Sequence, residues 1–182
     1  PDFYQGTELW DLNLVDPDNR GPVDYNTRMA HLDYITGCRD MEALARELWQ
    51  SRQDGRVKLF LVHRALMARR DNPALFLDGS YVPLNADGRF ANSVISFMRV
   101  DGDDVAVAVA PRFLSSLAEE GDLPVGDLWQ DTAVTVPFPV HLTDRICGHY
   151  VQSSGRMLLS EILRCFPVAL LTGKQDRQPE DS

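Results

Sequence analysis

The sequence predicts an α+β protein, helical to about residue 73 and built from antiparallel strands over residues 74–172. Apolar residues recur at a spacing near 3.6 before Pro73 and at a spacing of 2 after it, the periods of helix and strand. The second half also holds two alternating runs, Ser93 to Val100 and Val105 to Ala110, joined by Asp101-Gly102-Asp103-Asp104. A DG connection between such runs predicts a hairpin. With 182 residues and 44% hydrophobic content, the chain can bury a core, and wholesale disorder is excluded.

Phe3 and Tyr4 open an apolar, aromatic stretch, Asp2 to Gln5, that reads as a strand until Gly6 breaks it. A polar loop follows, Gly6 to Asp24, carrying Glu8, Asp11, Asp16, Asp18 and Arg20, stiffened by Pro17 and turned by Gly21. Loops with this many charges bind something polar or simply face solvent. Tyr25 to Thr36 predicts a helix with Gly37 as its C-cap, and Asp40 is placed to cap the next one. There Met41, Leu44, Ala45, Leu48 and Trp49 share one face. After Gln53-Asp54-Gly55, a third helix runs from Arg56 to Arg70. Leu59, Val62, Leu66 and Met67 are expected on its buried side, and Arg69 and Arg70 at its C-terminal end favour the helix dipole. Asn72-Pro73 stops it.

Tyr81 to Leu84, the hairpin, Thr132 to Val136 and Arg145 to Tyr150 form the strand series. A short helix is expected within Arg112 to Glu120. Ser160 to Cys165 and Val168 to Leu171 are read as closing strands of a β-sandwich. Residues 173–182 are polar and are expected to be a disordered tail. One strand, a polar loop and then helices make the repeating unit of a (β/α)8 barrel, whose loops at the C-terminal ends of strands carry the site residues. On that reading residues 1–73 are the last strand, loop and helices of such a barrel, and its other strands lie upstream of Pro1.

The net charge of -9 argues against nucleic acid and anionic membranes as partners. It is compatible with neutral polyols. No apolar stretch approaches the roughly 20 residues of a membrane span. The three cysteines, Cys38, Cys147 and Cys165, show no CxxC or His-Cys spacing. Reduced thiols in a cytoplasmic protein, with no metal and no cofactor, are the expectation.

The stretch PDFYQGTELWDLNLVDPDNRGPVDY resembles the end of the catalytic barrel in the α-amylase superfamily, where the eighth strand reads roughly P-x-x-Y-x-G-x-E. Within that superfamily, YQGTELWDLNLVDPDNR is similar to the malto-oligosyltrehalose synthases. So are GRVKLFLVHRALMARRDNPALFLDGSYVPL and the closing FPVALL, which extend the resemblance from Pro1 to about Leu171. Gly21 departs from the pattern, since a second basic residue is expected after Arg20.

The resemblance implies a C-terminal part of an enzyme that turns the reducing-end α-1,4 bond of a malto-oligosaccharide into an α,α-1,1 bond. It also implies a retaining mechanism with two carboxyl groups and an upstream catalytic barrel as partner. None of the superfamily's catalytic motifs is present, so no catalytic residue is assigned. In D-P-x-N-R the aspartate and arginine lie on the donor side of the cleft and bond sugar hydroxyls, which carries over to Asp16 and Arg20. The chemistry suits them, since a carboxylate accepts from adjacent hydroxyls and a guanidinium donates in a planar fork. The competing reading has Arg20 pair with Asp16 or Asp18 to fix the loop. Trp10 stacks on a glucose ring or packs within the loop. Glu8 is read as bracing the loop from behind, and Tyr4 as packing at the barrel mouth. His31, His63, His141 and His149 read as ordinary polar or helix-surface residues.

Two alternatives compete with the enzyme-fragment reading. A non-catalytic β-sandwich module that binds carbohydrate or a partner would need exposed aromatics, for which only Trp129 and Tyr150 are candidates. A self-contained hydrolase would use Glu119 with Glu120 or Asp103 with Asp104, but neighbours on a strand point to opposite faces and cannot flank one bond.

Overall fold

The computed structural model describes residues 4–119 and 121–176, in two compact units that divide between Arg64 and Ala65. The first unit holds helices α1 (Tyr25–Gly37), α2 (Met41–Gln50) and the first half of α3 (Arg56–Asp71). Asp24 caps α1 by accepting from the Thr27 amide at 3.0 Å and the Thr27 hydroxyl at 2.6 Å. Asp40 caps α2 by accepting from the Ala43 amide at 3.0 Å, as the sequence predicts. The α2 stripe is buried at Leu44, Ala45 and Leu48. In α1, Ile35 is buried while Tyr25, Met29 and Tyr34 stand exposed. This helix includes Gly37 and is capped by Cys38, whose amide bonds the Ile35 carbonyl, one residue beyond the expected cap.

The buried face of α3 keeps Leu59 as expected, with Val62 and Met67 half-buried, but differs at Leu66. Val57, Leu59, Phe60 and Ala68 are buried, whereas Leu66 is 37% exposed, so Leu66 is corrected from core to surface. The expected strand from Asp2 to Gln5 is also not seen where it can be checked. Residues 5–8 form a turn in which the Tyr4 carbonyl accepts from the Thr7 amide and hydroxyl; Asp2 and Phe3 lie outside the described residues. Gly6, at φ +98°, directs the chain into that turn. Among the described residues no strand lies beside it, and strand backbone needs a ladder partner for its polar groups.

The second unit begins with the rest of α3 and the short α4 (Pro73–Leu77), where Pro73 takes the first helical turn. Among the described residues nine strands follow: β1 (Ser80–Pro83), β2 (Ala86–Asp87), β3 (Val94–Asp101), β4 (Asp104–Pro111), β5 (Ala133–Thr135), β6 (Val140–Asp144), β7 (Tyr150–Ser153), β8 (Arg156–Leu158) and β9 (Ala169–Gln175). Every pairing is antiparallel, in a six-stranded sheet of order β1-β3-β4-β9-β6-β7 and a three-stranded sheet β2-β5-β8. The β3–β4 hairpin closes with Asp101 opposite Asp104. Gly102 supplies φ +58° at the first central position of its two-residue turn, where glycine is at no steric disadvantage. Both sheets feed one hydrophobic cluster. Val105, Val107, Leu142 and Leu171 come from the larger sheet, Val134 and Met157 from the smaller, with Trp129 and Leu159 among them.

Four further expectations are corrected here. Arg145 to Tyr150 is a turn up to Tyr150, because the Asp144 carboxylate accepts from the Ile146 and Cys147 amides at 3.1 and 2.8 Å and holds the chain in an Asx-type turn. Ser160 to Cys165 is no strand: α5 (Leu159–Ile162) occupies its start, and Leu159, Ile162 and Leu163 are buried at helical spacing. The helix expected in Arg112 to Glu120 reduces to one 3-10 turn at Leu114–Ser116, with Glu120 outside the described residues. The expected tail starts too early, since Gly173 to Gln175 belong to β9. Residues 177–182 lie outside the description.

Cys147 and Cys165 form a disulfide across a separation of 18 residues, which corrects the expectation of three reduced thiols. Cys38 is unbonded. Among the described residues no helix is long and apolar enough to cross a membrane.

Candidate functional site

The loop from Tyr4 to Asp24 folds over the start of α1 and encloses a cleft of about 420 Å³. Its lining includes Gln5, Trp10, Asp11, Asn13, Asp24 and Arg28. Arg28, in the first half of α1, organises the back of the loop. Its Nε donates to Glu8 Oε2 at 3.1 Å, one Nη donates to the Asp24 carbonyl at 3.0 Å, and the other meets the Gly6 carbonyl. The same Glu8 oxygen accepts from the Gly6 amide at 3.0 Å. Glu8 is thus tied to backbone and guanidinium. The Tyr25 hydroxyl donates to Gln5 Oε1 at 3.0 Å, fixing a carboxamide at the rim.

Trp10 lines the cleft and is 47% exposed. Its indole N–H donates to the Arg52 carbonyl at 2.6 Å, and the Lys58 ammonium lies 5.7 Å from the ring centroid while donating to the Leu9 carbonyl at 3.2 Å. The edge of the ring is therefore fixed and part of its surface stays open. Gly55 makes this arrangement possible. It sits at φ +82°, and a Cβ there would come within 2.8 Å of the Trp10 amide nitrogen.

Asp16 and Arg20 meet each other. Arg20 donates from Nη2 to Asp16 Oδ2 at 2.9 Å and from Nε to the other carboxylate oxygen, and the two side chains are 57% and 73% exposed. Neither lines the cleft. Asp18 accepts from the Leu14 amide at 2.7 Å, closing the same loop. Tyr4 is exposed and is also absent from the cleft wall. Of the sequence-predicted residues the structure thus brings Trp10 to the cleft, sets Glu8 behind it, and pairs Asp16 with Arg20 outside it.

The Asp24 carboxyl is held below its usual value, first by the Thr27 hydroxyl and then by the Thr27 amide. Burial pushes Asp54 up, but its bonds to the Arg56 backbone and side chain and the Arg56 charge prevail and bring it below its usual value. A wall carrying carboxylates, carboxamides, one guanidinium and an indole face can hydrogen-bond and stack a neutral polyol. Arg28 was missed by sequence reasoning, because its Glu8 partner lies 20 residues away and a helix arginine carries no distinguishing local signal.

The second unit holds two further polar groupings. His141 lies between the Tyr150 hydroxyl and Asp176, with Nε2 2.6 Å from the carboxylate. His149 is 7% exposed with Nδ1 3.5 Å from Asp144 Oδ2, so it is corrected from a surface residue to a buried one. Trp129 is fully buried, donating to the Pro124 carbonyl at 3.0 Å, which removes one of the two aromatics a binding module could offer. Asp144, Cys147 and Cys165 bring potential metal-ligand atoms within 4.8 Å of one another.

No known protein-family profile matches the chain. Two curated proteins, from the CDC 1551 and H37Rv strains of Mycobacterium tuberculosis and named for maltooligosyl trehalose synthase, are 37% identical to it over 171 residues. That alignment takes in 94% of this chain and 18% of each relative. A solved maltooligosyltrehalose synthase from Arthrobacter ramosus superposes with a TM-score of 0.70, and a point mutant of it with 0.71, both at 37% identity. Each superposition covers 97% of this chain and 20% of the other. The chain thus spans about a fifth of the length of the synthases it matches.

Proposed function

From a likeness of that extent we propose that the chain is a section of a maltooligosyltrehalose synthase, the C-terminal part that follows most of the catalytic barrel. The observation that carries this is the 37% identity sustained over 94% of the chain together with the shared fold. The whole enzyme would act in the cytoplasm on malto-oligosaccharides, moving the reducing-end glucose from an α-1,4 to an α,α-1,1 linkage. A carboxylate nucleophile and a carboxylic acid from the barrel would do the covalent chemistry, as retaining glycosidases do. The released glucose must be held and turned while water is kept out, a positioning task for the walls of the cleft.

Within that enzyme the first unit supplies a donor-side wall. Trp10 offers a ring face, and Asp16 and Arg20 offer hydroxyl partners once sugar reaches them. Glu8, held by Arg28, keeps the loop in place. Several apolar side chains support a further partner for this unit: Leu12, Leu14 and Val15 are 92%, 78% and 83% exposed, a pattern suited to cover by the rest of a barrel. The second unit, read as a β-sandwich of its two sheets, stabilises the whole.

The test is to express the chain in continuity with the residues its gene encodes before Pro1, and to assay maltopentaose for trehalose-ended product. Conversion by the longer protein, lost when Trp10 is changed to alanine, is the expected result. A longer protein that only hydrolyses maltopentaose would overturn the proposal.

A further inference from the structure

The turn after β6 and the turn after α5 bring together side chains that the cleft does not use. Asp144, Cys147, His149 and Cys165 are 2%, 9%, 7% and 7% exposed. An Asp144 oxygen and the two sulfurs lie within 4.8 Å of one another, and the His149 Nδ1 is 3.5 Å from Asp144 Oδ2. We infer that this cluster, once the Cys147–Cys165 disulfide is reduced, binds a thiophilic divalent cation of the zinc class. Cys147, Cys165 and Asp144 supply three ligands and water takes the fourth position, with His149 beside the Asp144 carboxylate.

The donor types decide the class of ion. Two thiolates and a carboxylate favour zinc over magnesium or calcium, which take oxygen ligands. Two thiolates on one tetrahedral zinc sit roughly 3.8 Å apart, a span open to cysteines whose Cα atoms are 6.8 Å apart. The Asp144 carboxylate is already oriented by the Ile146 and Cys147 amides, the kind of outer bonding that fixes a metal ligand. Gly148, at φ +89°, turns the chain sharply between Cys147 and His149.

The chemistry balances with a thiol reductant. A dithiol transfers two electrons and two protons to the disulfide, leaving two cysteine thiols and an oxidised dithiol. The cation then binds both thiolates and releases their protons. Disulfides are rare in reducing compartments, so the two states exchange according to where the protein resides.

The experiment uses the full chain carrying Cys38→Ser, so that no third thiol competes. After reduction with a phosphine, Zn2+ is titrated in competition with a chromophoric chelator. About one ion per chain and about two protons released per ion are expected. Co2+ in its place should give thiolate-to-metal charge-transfer absorption. Cys165→Ser and the oxidised chain should bind at least about 100-fold more weakly, and Asp144→Asn about 10- to 100-fold more weakly. Equal zinc binding by the reduced, oxidised and Cys165→Ser chains would overturn the inference. So would loss of the near-ultraviolet circular dichroism on reduction that added zinc fails to restore, because an occupied site would hold both turns.

Discussion

At Arg28 a single guanidinium meets the Glu8 carboxylate and the carbonyls of Gly6 and Asp24. The side chain is only 19% exposed, so water would replace few of these bonds on truncation. Removing a hydrogen bond to a charged group costs roughly 1.5–3 kcal/mol. Arg28→Ala is therefore expected to destabilise the first unit by about 2 kcal/mol in urea unfolding, and Arg28→Ala with Glu8→Gln should cost less than the sum. Additivity of the two would mean that they act separately. The Asp16–Arg20 pair is different: both partners are more than half exposed, and such surface pairs contribute at most about 1 kcal/mol. Arg20→Ala should leave thermal stability nearly unchanged. In the longer enzyme, loss of a charge-assisted bond to sugar would lower kcat/KM by about 10- to 150-fold. A loop-fixing role would instead make Asp16→Ala and Arg20→Ala each cost nearly what the double mutant costs. Wild-type kcat/KM for Arg20→Ala on every oligosaccharide length would remove both from the site. The motif singles out Asp16, Arg20, Glu8 and Trp10 because they crowd one loop, but of these only Trp10 lines the cleft. Arg28 was not legible, because it joins that loop only through tertiary folding.

The Asp40 cap was legible because it acts within three residues of its own position, whereas the Asp24 cap of α1 was not singled out and the C-cap expected at Gly37 falls at Cys38. Asp40→Ala should cost about 1 kcal/mol, measurable by thermal unfolding. At Asp24 the folded carboxyl sits below its ordinary value. Its contribution is therefore complete above the unfolded pKa and is lost as pH falls through the folded one. The amides at the start of α1 should lose exchange protection on acidification, and Asp24→Asn, which caps without titrating, should remove that dependence. The β3–β4 hairpin was equally legible, because alternation and turn glycine agree. The segment from Arg145 to Tyr150 was not. Ile146 and Cys147 imitate a strand while the Asp144 side chain folds them into a turn, and short apolar runs such as 160–165 do not distinguish strand from helix. Gly173 offers a test of the pairing itself. A Cβ there would lie 2.0 Å from the His141 carbonyl oxygen, on the β6–β9 ladder. Gly173→Ala should destabilise by about 1–3 kcal/mol through this crowding; an unchanged melting temperature would mean that the two strands do not approach so closely.

Over the whole molecule the two units differ in how completely they bury their apolar side chains. In the second, both sheets contribute to one cluster in which Val105, Val107, Val134, Leu142 and Leu171 are inaccessible to solvent. In the first, Leu12, Leu14, Val15 and Met29 remain more than half exposed. Amide exchange should accordingly be slow in β4, β6 and β9 and fast across residues 10–24 in the isolated chain. Strong protection across those residues in the monomer would contradict an incomplete barrel. Catalysis should follow the same division. A retaining glycosidase needs two carboxyl groups about 5–5.5 Å apart across the scissile bond. The carboxylates of the loop are otherwise engaged: Glu8 with Arg28, Asp11 with Asn13, Asp16 with Arg20, Asp18 with the Leu14 amide, and Asp24 with the α1 amides. The Asp24 carboxyl is held below its usual value by the Thr27 hydroxyl and amide, the opposite of what a general acid at neutral pH requires. The chain alone is therefore expected to leave maltopentaose unchanged after prolonged incubation, as followed by chromatography of the oligosaccharides. Continuity with the barrel proposed to precede it should confer formation of the non-reducing, trehalose-ended product. If the purified chain itself forms that product, and Asp16→Asn or Asp24→Asn abolishes it, the acid and nucleophile lie in the loop and their assignment to the barrel is wrong.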